Sequence, residues 1–321
     1  MPSYRTATVT ELLEERPGLQ RVETTEGRAY VLTQLTPPVA VGDAVVVNTT
    51  AVDLGLGTGG WHVVHWNLAR DNWSSSGPGH IVKLRYTSLQ ADTGAAEEHA
   101  PDLPTDLRGA PVVACTLHSQ VAVVAAIVRH LRPSASITYV MTDGAALPLA
   151  VSDLVHQLRE LGVVDTTVTA GHAFGGDHEA VSVPSALCVA RHLAGADVLV
   201  VGMGPGVVGT GSALGTSAVE AAAVLDATAA LGGVPILCVR LSDADARERH
   251  HGVSHHTRTV LDLVRSEVVA PMPGDVEAPD AGAVLAQLGL AVTSMGRGPA
   301  DDPAFFAACA AAAAEAVAAL P

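Results

Sequence analysis

Lysine is almost absent from this chain of 321 residues, and positive charge of any kind is scarce. Lys83 is the single lysine, and 18 Lys and Arg residues stand against 33 Asp and Glu residues, which gives a formal net charge of -15. Binding of nucleic acid or of an anionic bilayer requires clustered basic side chains that neutralise phosphates. We therefore expect neither nucleic acid nor membrane among the partners.

Cysteine and long apolar runs are also scarce. The cysteines are scattered without a C-x-x-C pair, which predicts buried free thiols rather than disulfides or a structural zinc. The N-terminus lacks an apolar signal segment, and the alanine-rich tail Phe305–Leu320 is interrupted by Glu315. We expect no targeting or membrane-spanning segment and a cytoplasmic location. The cysteines are Cys115, Cys188, Cys238 and Cys309.

Composition divides the chain into four segments. Residues 1–88 contain short strand patterns separated by turn residues, which predicts a small β-barrel or β-sandwich domain. Residues 89–108 lack an apolar period and are a predicted linker, residues 109–270 are a predicted α/β domain, and residues 271–321 are a predicted C-terminal extension with a terminal helix. The predicted N-terminal strands are Arg28–Leu35, Asp43–Asn48, Trp61–Asn67 and His80–Tyr86.

Apolar strands alternate with helical segments through residues 109–270. Five such units predict a Rossmann-like α/β fold, a mostly parallel sheet with helices on both faces. The predicted strands are Val112–Thr116, Ile137–Thr142, Val164–Ala170, Val198–Met203 and Pro235–Leu241. The predicted helices are Gln120–His130, Ser152–Leu161, a helix around Pro184–Leu193, Thr216–Leu231 and Ser254–Val264.

A glycine-rich loop follows the fourth of these strands. Glycines placed between a strand and a helix let the backbone approach a ligand, and the amides at the start of the helix favour an anion. The loop contains a literal G-x-G-x-x-G, but an intervening proline, a long continuation and a distant acid weaken a dinucleotide site. No lysine follows, which excludes a Walker A loop. The predicted ligand-binding residues are Gly202, Gly204, Gly206, Gly209, Thr210 and Gly211.

Polar side chains follow the first three strands of the predicted sheet. Ligands bind outside the carboxyl ends of parallel strands, so these residues are candidates for acid/base chemistry. The segment Gly171–Glu179 crowds two histidines and two acids onto a glycine-rich loop, where imidazole and carboxylate could hold a metal or tie down the loop itself. The candidate catalytic residues are His118, Asp143, His172, Asp177 and His178.

The segment Arg247–Arg258 holds four histidines within seven residues. His251 and His255 are four apart and would share a helix face if Gly252 does not break the helix. Together with His172 and Asp177 they form the predicted set of metal ligands. Alternatively the arginines form an anion clamp, to which protonated histidines add charge, or Ser254 merely caps a helix. The predicted ligand-binding side chains in and near this segment are Asp243, Arg247 and Arg258.

Five segments occur together in one order: NTTAVDLGLGTGG, LHSQ, GHAFGGDHEAV, GMGPGVVGTGSALG and RLSDADARERHHGVSHHT. With them the chain resembles, over roughly residues 5–265, a family of uncharacterised bacterial proteins defined only as a domain of unknown function. The resemblance implies a bacterial, cytosolic protein and transfers no catalytic residue. The first of the five, the loop Asn48–Gly60, is long for a hairpin and is a predicted lid or interface element, or else a structural bulge.

These patterns favour an enzyme acting on a small anionic metabolite that bears phosphate or carboxylate, with a metal-dependent hydrolase or lyase as one form. A non-catalytic ligand-binding or regulatory protein is the first alternative, and an NAD-type oxidoreductase the second. The cofactor is unassigned: a divalent metal is favoured over a dinucleotide. No G-x-S-x-G nucleophile motif is present. We expect a homo-oligomer, preferably a homodimer.

Overall fold

The computed structural model describes residues 1–57 and 59–321, so Thr58, which falls in the predicted loop Asn48–Gly60, lies outside the described residues. The chain forms two compact units, Met1–Gly94 and Ala95–Pro321. Within the described chain, no helix has both the length and the apolar character needed to cross a bilayer.

The first unit is built on a closed five-stranded barrel of strand order β1-β2-β3-β5-β4. Alternate residues of the strands point inward, and small or branched side chains such as Val22, Val45 and Val64 fill the interior. Helix α1 (Thr50–Asp53) and a short ribbon of β6 (Val82–Lys83) and β7 (Ala91–Asp92) complete it. The barrel strands are β1 (Tyr4–Arg16), β2 (Leu19–Thr24), β3 (Gly27–Val31), β4 (Ala44–Asn48) and β5 (His62–Asn67).

The sequence predicted a barrel or a sandwich, and the structure shows the barrel. The sequence analysis did not predict β1, because most residues of this strand are exposed and its polar residues obscure the alternation of apolar and polar positions. The predicted strand His80–Tyr86 is shortened to β6, since Leu84 (φ 52°) and Tyr86 (φ 60°) adopt the left-handed region that ends a strand.

The second unit contains a six-stranded, entirely parallel sheet of order β11-β10-β9-β12-β8-β13. A separate two-stranded antiparallel ribbon joins β14 (Leu241–Ser242) to β15 (Gly252–Val253). The predicted alternation of strands and helices is therefore present, with β11 as an additional edge strand. The sheet strands are β8 (Pro111–Cys115), β9 (Ile137–Thr142), β10 (Thr166–Ala170), β11 (His178–Ala180), β12 (Val198–Met203) and β13 (Val234–Cys238).

Helices cover both faces of this sheet. Helices α2, α3, α7 and α8 pack with one set of alternate strand residues, and α4, α5 and α6 pack with the other. The helix after β12 therefore lies on the face opposite the helix after β8, although these strands are neighbours. The helices are α2 (His118–Leu131), α3 (Asp153–Glu160), α4 (Val183–His192), α5 (Glu220–Ala230), α6 (His255–Leu263), α7 (Ala281–Leu288) and α8 (Pro303–Ala318).

The alanine-rich helix α8 is almost entirely buried and shares one core with α2. Its small side chains let the two helices approach closely, while Phe305 and Phe306 fill the space at its first turn. Cys309 of α8 lies in the same core as Cys115 and Cys238, and all four cysteines are buried free thiols. The terminal helix is thus part of the core of the second unit.

Candidate functional site

The candidate site lies beyond the carboxyl ends of β12 and β13. The helices that follow β8 and β12 leave on opposite faces of the sheet, so the loops at the ends of these strands diverge and leave a crevice. Ligands of open α/β sheets bind in a crevice of this kind. The glycine loop after β12 folds back on itself: the Thr210 amide donates to the Gly215 carbonyl at 2.7 Å, and Gly209 pairs with Thr216. One side of this loop faces the segment that follows β13.

A small cavity of about 150 Å³ lies between the glycine loop and that segment. Three arginines and three histidines line it together with the loop backbone. Glycine is favoured at position 211 because its φ is +89°, and this residue lies next to the guanidinium group of Arg249. The lining residues are Val207, Val208, Gly209, Gly211, Arg240, Arg247, Arg249, His250, His255, His256 and Met295.

A buried carboxylate, Asp245, organises the arginines. Arg247 donates to both of its oxygens, at 2.9 Å from Nε and 2.7 Å from Nη2. Arg297 Nη2 lies 3.3 Å from Oδ2, and Arg240 Nη2 lies 3.7 Å from it. The hydrogen bonds from Arg247 hold the pKa of Asp245 well below its usual range. Burial, together with the charge of Arg247, lowers the pKa of Arg240 to about 10, so it stays cationic at neutral pH.

The three histidines form one compact group. Their ring centroids lie 4.4 to 4.9 Å apart, and one nitrogen from each ring comes within 4.8 Å of the others. Ser254 positions this group: its hydroxyl caps α6 by accepting from the His256 amide at 3.2 Å, and it lies 2.8 Å from Nδ1 of His250. Capping by Ser254 therefore fixes the start of α6 and one imidazole at once.

Guanidinium contacts set the tautomers of two of the rings. Arg240 Nη1 lies 3.1 Å from Nδ1 of His256, and Arg249 Nε lies 3.4 Å from Nε2 of His250. Arginine can only donate, so each of these ring nitrogens accepts and the opposite nitrogen carries the proton. Nε2 of His255 is buried and has no hydrogen-bond partner among the described residues.

All three imidazoles are neutral at pH 7 in this arrangement. Burial, followed by the charge of Arg240, lowers the pKa of His250 to about 4 and that of His256 to about 3. Burial and the charge of Arg249 also lower the pKa of His255. These shifts do not favour the alternative in which protonated histidines add charge to an anion clamp.

Of the predicted residues, Gly209, Gly211, Arg247 and His255 line this cavity. His251, by contrast, is exposed, because Gly252 (φ +67°) belongs to β15 and α6 begins only at His255. The i, i+4 pair of His251 and His255 on one helix therefore does not form. Asp243 and Arg258 are exposed as well and lie outside the cavity lining.

The remaining glycine-loop residues have local structural roles. Gly202 belongs to β12, where a Cβ would lie 3.2 Å from the Cys115 side chain. Gly204 lets the backbone pass Ala146, whose carbonyl oxygen would lie 2.7 Å from a Cβ. Gly206 (φ +99°) occupies a turn. The exposed Thr210 hydroxyl, 3.0 Å from that of Ser212, helps to close the loop.

Acidic side chains of the loop Gly171–Glu179 hold this loop in place. Asp177 accepts from the Thr167 amide at 2.8 Å and pairs with Arg159 at 3.1 Å. His178 is the first residue of β11 and pairs with Val168. His172 lies near the end of β9 instead, where its amide donates to Asp143 at 2.9 Å. The structure therefore separates His172 and Asp177 from His255.

Asp143 belongs to a second polar cluster that centres on Glu220, the first residue of α5. The Thr142 hydroxyl donates to the Glu220 carboxyl group. A Cβ on Gly144 would collide with this carboxylate, and one on Gly171 would collide with that of Asp143. Burial raises the pKa of Glu220 to about 7. The sequence did not point to Glu220, because it stands inside an alanine-rich helical stretch.

His118 lies at the start of α2, close to β12 and α3. Its Nδ1 donates to the Met203 carbonyl at 3.1 Å, so its Nε2 accepts from the Ser152 hydroxyl at 2.7 Å. Burial lowers the pKa of His118 to about 4. Ser152 is itself buried and caps α3 by accepting from the Val155 amide, which gives this pair a role in joining two helices.

A comparison with protein families matches residues 28–288 to a family described as a protein of unknown function, DUF3866. The match spans the barrel strands from β3 onward, the parallel sheet and the arginine–histidine pocket. No curated protein and no solved structure matches the chain significantly.

Proposed function

The chain belongs to the DUF3866 family, and we propose from the geometry of its pocket that it is an enzyme acting on a small metabolite that carries a phosphate or carboxylate group. The convergence of three guanidinium groups and three imidazoles on one cavity carries this proposal. Arginine pairs with both kinds of anion through parallel hydrogen bonds, which gives orientation as well as affinity.

The charge of the pocket supports an anionic ligand. The carboxylate of Asp245 lies next to the arginines of the pocket, and it is shared among Arg240, Arg247 and Arg297. Among the residues that the structure describes, no carboxylate pairs with Arg249. The cavity therefore keeps an excess of positive charge, which a bound anion would neutralise.

The size of the pocket supports a small charged group. A cavity of about 150 Å³ corresponds to about five water molecules at roughly 30 Å³ each. Pockets for whole drug-sized ligands measure roughly 300–1,000 Å³. A single phosphate or carboxylate fills this space, whereas it can hold only part of a dinucleotide, so an NAD-type oxidoreductase is the weaker alternative.

Without a bound metal, the imidazoles supply the acid/base chemistry of the proposed enzyme. His256 presents an Nε2 proton because its Nδ1 accepts from Arg240. His255 offers an unpartnered Nε2 beside the same cavity. The negative charge of a bound anion would raise the lowered pKa values of these imidazoles toward neutrality, where proton transfer is most effective. We also propose that the sheet is Rossmann-like, since a parallel sheet covered on both faces places this pocket at its carboxyl edge.

Calorimetric titration of the full chain with inorganic phosphate tests the site. Arg249→Met removes a guanidinium that lines the cavity, and Arg258→Met is the matched control on the exposed side of α6. Loss of a charged hydrogen bond of about 1.5–3 kcal/mol weakens affinity roughly 10- to 100-fold in the first variant. Equal affinity in the two variants contradicts the proposed site.

Catalysis requires a separate measurement. Incubation with a panel of phosphorylated and carboxylated metabolites, followed by NMR, reports any turnover. Turnover that is lost in Arg249→Met supports the enzyme. Phosphate binding without any turnover instead supports the alternative of a regulatory ligand-binding protein.

A further inference from the structure

We propose that His250, His255 and His256 bind one divalent transition metal, Zn²⁺ or an ion of similar ligand preference, with an open coordination position toward the arginine-lined cavity. The occupant of that open position rests on the function proposed above, because the anion of the cavity would fill it. Three imidazoles with one position left open is the ligand arrangement of catalytic zinc sites.

The spacing of the three rings fits a metal after small side-chain adjustments. One nitrogen from each ring already lies within 4.8 Å of the others. With Zn–N bonds of about 2.0–2.1 Å, two nitrogens of a tetrahedral site lie roughly 3.4 Å apart. Rotation of the imidazoles about their side-chain bonds covers this difference without a change in the backbone.

The unpartnered nitrogen of His255 independently points to a missing ligand. Its Nε2 is buried and makes no hydrogen bond within the described part of the chain. Buried polar atoms are nearly always satisfied, because leaving one unpaired forfeits its hydration. The imidazoles of His250 and His256 are its neighbours, with ring centroids 4.9 and 4.4 Å from that of His255. A metal held by the three rings satisfies Nε2 directly.

His250 has the outer contact that a metal ligand needs. Its Nδ1 lies 2.8 Å from the Ser254 hydroxyl, and Ser254 is held in place as the cap of α6. When Nδ1 donates to this hydroxyl, the lone pair of Nε2 is available to a metal and the ring orientation is fixed. The 3.4 Å contact from Arg249 to this Nε2 is long and therefore easily displaced.

The arginines make metal binding dependent on an anion. Arg240 donates to Nδ1 of His256, and it must turn away toward Asp245, 3.7 Å from its Nη2, before this nitrogen can bind a metal. Three guanidiniums also repel a divalent cation. A bound anion neutralises them and supplies the fourth ligand, so metal and anion should strengthen each other's binding reciprocally.

Titration of the metal-free full chain with Co²⁺ tests the inference, because a four-coordinate Co²⁺ site gives an intense visible spectrum. We expect one equivalent to bind, with affinity that rises when inorganic phosphate is present. His255→Ala should lose the spectrum, whereas His251→Ala, an exposed histidine of the same segment, should keep it. Thermal denaturation verifies that both variants fold.

Two results overturn the inference: wild-type protein that binds no Co²⁺ with or without phosphate, or His255→Ala that binds it as the wild type does. The wild-type stoichiometry decides the matter even if His255→Ala fails to fold. Calorimetry with phosphate on the metal-free protein separates the two proposals. If phosphate binds but Co²⁺ does not, the metal site alone is refuted; if Co²⁺ binds but phosphate does not, the anion site alone is refuted.

Discussion

Replacement of Asp245 by asparagine should destabilise the second unit strongly. The Asp245 side chain is 3% exposed and compensates Arg247 and Arg297 at hydrogen-bond distance and Arg240 at 3.7 Å. Breaking a buried ion pair by removing one partner costs about 3–5 kcal/mol. Because the Arg247 side chain is 40% exposed, water recovers part of this loss, and we expect about 3 kcal/mol. This is a large share of the free energy of unfolding of a folded domain, which is roughly 5–15 kcal/mol.

Asp243→Asn is the matched control, because Asp243 is exposed and lies two residues earlier. Its effect should stay within about 0.5 kcal/mol. Urea unfolding followed by circular dichroism is the suitable assay, since α2 to α8 lie in the second unit while all three tryptophans lie in the first. Similar free energies of unfolding for Asp245→Asn and Asp243→Asn would refute the reasoning.

The effect of Asp245→Asn should also depend on pH. The pKa of Asp245 is depressed in the folded protein relative to the ordinary value of 3.8. Its stabilising contribution is therefore complete above pH 3.8 and is lost as the pH falls toward the folded-state pKa. The difference between wild type and Asp245→Asn should shrink progressively below about pH 4.

Three further substitutions test other parts of the structure. Glu220→Gln should stabilise the protein by about 1–2 kcal/mol above pH 7, because burial raises the pKa of Glu220 to about 7. In thermal melts this gain in stability should vanish as the pH falls toward 4.5, and a gain that does not depend on pH would contradict the reasoning. Gly204→Ala, which presses a Cβ against the Ala146 carbonyl, should cost about 1–3 kcal/mol by urea unfolding, unlike Gly57→Ala in open space. Phe306→Ala should cost about 3–5 kcal/mol, and a near-neutral result would contradict the packing of α8.

The architecture was largely predictable because it depends on local periodicity. Apolar runs such as Val198–Met203 are buried on both faces, and the sequence shows them as uninterrupted hydrophobic strands. The glycine loop was placed correctly after this strand for the same reason. Strand β1 was not predicted, because barrel closure rather than hydrophobicity holds most of its exposed residues in place.

The identity of the pocket residues was only partly predictable. The sequence directed attention to Arg247–Arg258 through its density of histidine and arginine, and Arg247 and His255 do line the cavity. Helical spacing favoured His251 over His250, but that rule holds only inside one helix. Gly252 breaks the helical spacing between His251 and His255, and the buried His250 reaches the cluster from the short helical turn Glu248–His250.

The sequence by itself determined the strand–helix alternation, the barrel-or-sandwich start, the glycine loop and the scarcity of basic charge. These depend on neighbours along the chain. Only the tertiary structure decided which charges meet: Arg240 beside His256, Arg297 beside Asp245, and Glu220 beside Thr142, 78 residues away. Long-range contacts of this kind depend on the order of strands in the sheet, and a linear pattern of residue types does not encode that order locally.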